Sequence, residues 1–186
     1  MSKVWQYGGI VASVVLIAFG AGTIIVGLGG RDRVHDDLKR EQIVGTADST
    51  IPNQLVDNGT KAEAFAKVMR KHTLEATDGQ TYAQMGRYMG KDGKPTNDEK
   101  LAAVDAKSGK PVDNPLRNLW VTETALTTAL HSAYFAESVA TFAIIMGFAL
   151  MITGAGFLVL TLRVLRRFVG ETARTPATSG KVALSS

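Results

Sequence analysis

The chain has 186 residues, with 21 Lys and Arg against 17 Asp and Glu, a net charge of +4, and no cysteine. The absent thiol excludes disulfides, thiolate metal centres, cysteine nucleophiles and Cys-linked lipid anchors. The basic excess sits at the two ends of the chain, a pattern of membrane topology rather than of a nucleic-acid footprint.

Residues 1–7 carry Lys3 and no acid, with Trp5 and Tyr7 where amphipathic rings favour the headgroup layer. Residues 8–30 hold no charged side chain, and as a helix they are long enough to cross the roughly 30 Å hydrocarbon core of a bilayer. A cleaved signal peptide would need a shorter apolar run followed by a small-x-small cleavage site. This run instead ends in Gly29-Gly30-Arg31-Asp32-Arg33.

Alternating charges over 31–42, with Val34 and Leu38 four apart, predict a helix leaving the bilayer for about three turns. Residues 43–58, with Gly45, Pro52 and Asn53, read as irregular chain. Thr60-Lys61-Ala62-Glu63 has the spacing of a capping box and opens a helix to about Ala76. That helix places Phe65, Val68, Met69 and His72 on one face, with Gly79 as its stop. The capping box is preferred to a glycan-acceptor reading of Asn58-Gly59-Thr60. Residues 80–89 are expected as a short second helix with Tyr82, Met85 and Met89 inward, and 90–113, rich in Lys, Asp, Gly and Pro, as a mobile excursion with one turn around 101–104.

Asn114 then caps and Pro115 starts a helix that runs to about Phe168, roughly 80 Å at 1.5 Å per residue. Within it, residues 139–162 form a second charge-free span, with Tyr134 and Phe135 at its outer edge. The tail 163–186 has Arg163, Arg166, Arg167, Arg174 and Lys181 against Glu171. The ends therefore carry +1 and +4, whereas 31–138 holds 15 basic and 16 acidic residues. The bias predicts a plasma-membrane protein with both termini cytoplasmic and 31–138 outside. The expected fold is an all-α membrane protein, two antiparallel transmembrane helices extended beyond the bilayer plus a small helical ectodomain.

Small residues recur in steps of four and three at Gly9, Ser13, Gly20, Thr23, Gly27 and Gly30, with only Leu16 interrupting. The same rhythm appears at Ala129, Ala133, Ala136, Ala140, Ala143, Gly147 and Gly154, with Leu150 interrupting. Membrane helices associate where small residues let backbones come close, and a 3.5-residue period is the seam of left-handed packing. Facing seams are expected at Gly20, Thr23, Gly27 and Gly30 against Ala136, Ala140, Ala143, Gly147 and Gly154.

Catalytic signatures are sparse. His35, His72 and His131 show no HExxH or His-x-x-x-His spacing, and no phosphate loop or nucleophile elbow occurs. Glu123, His131 and Glu137 form a candidate polar patch near the outer membrane surface, and Tyr82 and Tyr88 with Arg87 a candidate stacking surface. No ionisable residue lies inside either span, so no proton or ion pathway is indicated.

The segments 72–85 (HTLEATDGQTYAQM) and 114–130 (NPLRNLWVTETALTTAL), together with the two spans, resemble a family of small two-span membrane proteins of high-GC Gram-positive bacteria. Its members share an H-x-L-E-A-[ST]-x-G-x-T-Y-A-[EQ] stretch and are often labelled aromatic ring-opening dioxygenase subunits. The resemblance implies the topology and a bacterial plasma membrane. The label would require a metal held by His and carboxylate in a closed pocket, and three scattered histidines do not supply one. The expectation is a non-enzymatic scaffold or accessory subunit without cofactor. Its partners are the lipid bilayer and another membrane protein or a second copy, with no nucleic acid. The alternative is an extracytoplasmic ligand- or envelope-binding module whose binding part is 60–89.

Overall fold

The computed structural model describes residues 3–172, and side chains from Tyr7 to Arg163. The side chains of Lys3, Trp5, Arg166, Arg167 and Glu171, and the tail residues Arg174 and Lys181, lie outside what is described. Three helices carry most of the chain: α1 (Lys3–Arg40), α2 (Gly59–Ala76) and α3 (Pro115–Thr172). Both α1 and α3 are long and apolar enough to cross a membrane. An apolar run without Pro favours the helix because every backbone group then finds its partner inside the segment. The few hydroxyls follow the same rule: Ser13 donates to Gly9 O at 2.7 Å and Thr153 to Ala149 O at 2.8 Å.

The chain divides into two compact units, one of residues up to Leu28 with those from Phe142 onward, the other Gly29–Thr141. In the first, α1 and α3 approach through Gly9 and Thr161, Ser13 and Gly154, and Gly20 and Gly147.

In the Gly29–Thr141 unit, Leu38 of α1, Ala62, Phe65, Ala66 and Val68 of α2, and Leu130 of α3 form a core with Val56. The loop before α2 closes over it, with Val56 N donating to Ile43 O at 2.8 Å. That loop is more ordered than expected. Val44 pairs with Leu55, and Gly45 must be glycine because a Cβ would strike the Ile51 carbonyl.

The helix start is corrected by two residues. Asn58, in extended conformation, caps α2 by accepting from Lys61 N at 3.0 Å. Thr60 is exposed in the first turn, and Glu63 pairs with Lys67 at 2.8 Å instead of returning to a cap. Asn outranks Thr as an N-cap. Gly59 sets the position too, since a Cβ there would lie 2.9 Å from Tyr134 Cα on α3.

No second helix forms over 80–89. Three carbonyls of that segment are taken by side chains of Asn114 and the first turns of α3. Trp120 Nε1 donates to Gln80 O at 3.0 Å, Arg117 Nη1 to Met85 O at 3.2 Å, and Asn114 Nδ2 to Gly86 O at 3.0 Å. Asn114, Arg117 and Trp120 stand three residues apart, so they share one helix face and hold an irregular strap with a turn at 82–84 rather than a helix. Met85, within the strap, is buried.

The segment expected as a mobile excursion is folded. Strand β1 (Tyr88–Met89) pairs antiparallel with β2 (Pro95–Thr96), followed by a 3-10 turn at Glu99–Leu101. Further bridges join Tyr88 to Asp113, Gly90 to Ala102 and Val104 to Pro111, and Ala103 N donates to Met89 O at 2.8 Å. The described chain is mostly helical, as expected, with a small β element added. Lys, Asp, Gly and Pro mark tight turns as well as mobile chain, and here Gly93 and Gly109 take the positive φ angles those turns require.

Candidate functional site

The residues expected as a polar patch do not gather. Glu123 is buried, 3% exposed, and accepts from Thr127 Oγ1 at 3.0 Å one turn further along α3. His131 is exposed. Glu137 lies fourteen residues from Glu123, about 21 Å along the helix axis.

Glu137 forms a different cluster, one that unites all three helices. Arg31 Nε donates to its Oε1 at 3.2 Å, His35 Nε2 lies 2.9 Å from the same oxygen, and the Gly59 amide donates to Oε2. The Gly59 amide is one of the orphan donors of the α2 N-terminus, where a carboxylate also meets the positive end of the helix dipole. Burial pushes the Glu137 carboxyl up, but the bonds from His35, Gly59 and Arg31 outweigh it and hold the group below its ordinary range. Both oxygens are engaged, so the arrangement suits a clamp more than a proton acceptor. Arg31 and His35 were missed as site residues. Their one-turn spacing on α1 was a signal, but nothing local connects them to a glutamate 102 residues beyond His35.

A second cluster sits at the surface. Asp48 accepts from Lys71 Nζ at 2.8 Å and Thr46 Oγ1 at 2.8 Å, and His72 Nε2 lies 2.9 Å away. Lys71, His72 and Thr46 together hold the carboxyl well below its usual range. His72, expected to pack on the apolar face, is half-buried and points its ring nitrogen at this carboxylate. Among the described residues, no group of three or more His, Asp and Glu gathers for a metal ion.

The small residues divide into two sets. A Cβ on Gly20 would lie 2.6 Å from Gly147 O, and one on Gly147 2.6 Å from Gly20 O, so the two backbones touch. Gly154 is buried, with Ser13 O 3.0 Å from where its Cβ would be. Gly27 is buried, and Thr23 and Ala143 are half-buried. In the other unit Gly30 faces Ala140 at 3.8 Å and Ala140 is buried. Ala136 departs from the seam: it is exposed and, with Ala129 and Ala133, lines an open groove of about 400 Å³. Val34, Leu38 and Ile43 form its other wall, with Asp37 and Glu41 at the edge. A second, polar cleft of about 330 Å³ opens between the strap and the start of α3.

No protein family, curated protein or solved structure matches the chain.

Proposed function

We propose that this chain is a non-catalytic, two-pass membrane protein that serves as a scaffold or accessory subunit, associating through helix faces with other membrane proteins or with a second copy. Residues 8–30 and 139–162 are its antiparallel spans, both termini are cytoplasmic, and 31–138 lies outside. The distribution of Lys and Arg supports that orientation. The segments 72–85 and 114–130 support a bacterial plasma membrane through their family resemblance.

One observation carries the association. Internal packing leaves part of the small-residue surface unused: Gly8 and Gly22 have nothing within 4 Å of where a Cβ would sit. Gly8, Ala12, Val15, Phe19 and Gly22 are all exposed and fall on one face of α1. Small residues beside large apolar ones make the surface that helices pack against in lipid.

Purification of the tagged full chain in mild detergent tests this, with Gly22→Leu as the variant. A stable homo-oligomer, or one membrane protein at fixed stoichiometry, is expected, and Gly22→Leu should abolish it. A monomer that brings no partner in both detergent and lipid nanodiscs would sink the reading.

A further inference from the structure

We infer that the polar cleft between the strap and the start of α3 binds an anionic sugar, a hexose-sized ring bearing one carboxylate or phosphate. The cleft is lined by Tyr82, Arg87, Asp113, Asn114, Arg117 and Asn118, and about 330 Å³ lies within the range of small-molecule sites. Its walls are held in place by the strap's own fastenings, Arg117 to Met85 O and Asn114 to Gly86 O. Such a site needs little ordering when a ligand arrives.

Charge selects the ligand's first group. Among the described residues neither Arg87 nor Arg117 has a carboxylate oxygen within 4.0 Å, whereas six pairs of a Lys or Arg with a carboxylate form there. Each guanidinium instead lies over a tyrosine ring, Arg117 at 3.9 Å from the Tyr82 centroid and Arg87 at 5.1 Å from that of Tyr88. Stacking uses the face of the guanidinium and leaves N–H donors at its edge, which match a carboxylate or phosphate in fork geometry. The cleft also adjoins the N-terminus of α3, whose dipole has the same sign as the arginines.

Asp113 and Asn118 select the rest. A carboxylate in the same cleft repels a bare polyanion but accepts from hydroxyl groups, and the Asn118 amide can both donate and accept. A ligand that satisfies the whole lining therefore carries one anionic group and several hydroxyls. Tyr82 is the only aromatic wall, so the lining offers little to a lipid tail.

The test is calorimetric titration of the full chain in nanodiscs with glucuronate and glucose 6-phosphate, against glucose and inorganic phosphate. At least one charged sugar should bind ten-fold or more tightly than both controls, and the two charged sugars separate carboxylate from phosphate recognition. Arg87→Gln should weaken binding at least ten-fold with little change in thermal midpoint, because the Arg87 side chain makes no hydrogen bond or ion pair among the described residues and loses only its stack on Tyr88. Asp113→Asn should erase the preference over inorganic phosphate. No saturable binding, equal binding of glucose or phosphate, or an unaffected Arg87→Gln protein would each overturn the inference. Any of these leaves the association reading untouched.

Discussion

Replacing Gly147 by alanine should separate α1 and α3. The added Cβ would lie 2.6 Å from Gly20 O and 2.6 Å from Ile24 Cγ1, about 0.8 Å short of ordinary van der Waals contact. Gly20 O belongs to the helix backbone and cannot rotate aside, so one helix must move. A gap of 0.5–1 Å forfeits a quarter to a half of each dispersion contact along the interface. The expected cost is about 1–3 kcal/mol, the usual range for overpacking. Alanine also favours the helix over glycine by up to about 1 kcal/mol, which would mask part of that strain. Gly22→Ala supplies the correction, because Gly22 has open space where its Cβ would project. The assay is the SDS-titration midpoint of each protein in mixed micelles. Gly147→Ala should unfold earlier than wild type, and Gly22→Ala at the same point or later. Equal midpoints for the two variants would refute the close approach of Gly20 and Gly147.

Asn58→Ala should destabilise α2 by about 1 kcal/mol and Thr60→Ala by much less, read from amide hydrogen exchange in its first turn. The opposite order would reinstate Thr60 as the cap. Glu137→Gln should cost about 1–3 kcal/mol near neutral pH, since it weakens charge-assisted bonds at a mostly buried site. The Glu137 carboxyl titrates below its ordinary 4.5 in the folded chain, so its contribution is fully present above that value. It is lost as pH falls through the folded value. The gap in thermal midpoint between wild type and Glu137→Gln should therefore be widest near neutrality and close as the solution is acidified below 4.5; a constant gap would show that the carboxylate's charge contributes nothing. Reporter fusions after Thr46 and after Arg174 should register opposite sides of the membrane. A cytoplasmic signal from the Thr46 fusion would invert the proposed topology.

Much of the helical architecture was legible because it depends on local composition. A charge-free apolar run of more than twenty residues has few folds open to it, whatever the rest of the chain does. Asn114-Pro115 was similarly plain, since an N-cap and a first-turn Pro act within a few residues of one another. Thr60 misled because Asn58-Gly59-Thr60 offers two caps in succession. The choice between them was made by the fit of Gly59 against Tyr134 and Glu137 on another helix.

The cleft and the clamp were hidden for a related reason. Tyr82 looked like part of the inward face of a short helix with Met85 and Met89, and its chain neighbours gave no sign that Asn114, Arg117 and Trp120 would take the strap's carbonyls. Glu137 stood beside His131 and Glu123 in sequence, yet its partners are Arg31, His35 and Gly59. Sequence by itself determined which segments are helical and apolar enough for a bilayer, because that preference is a sum over neighbouring residues. Tertiary structure alone decided which polar groups meet, because those bonds join positions far apart in the chain, where no periodicity links one residue to its partner.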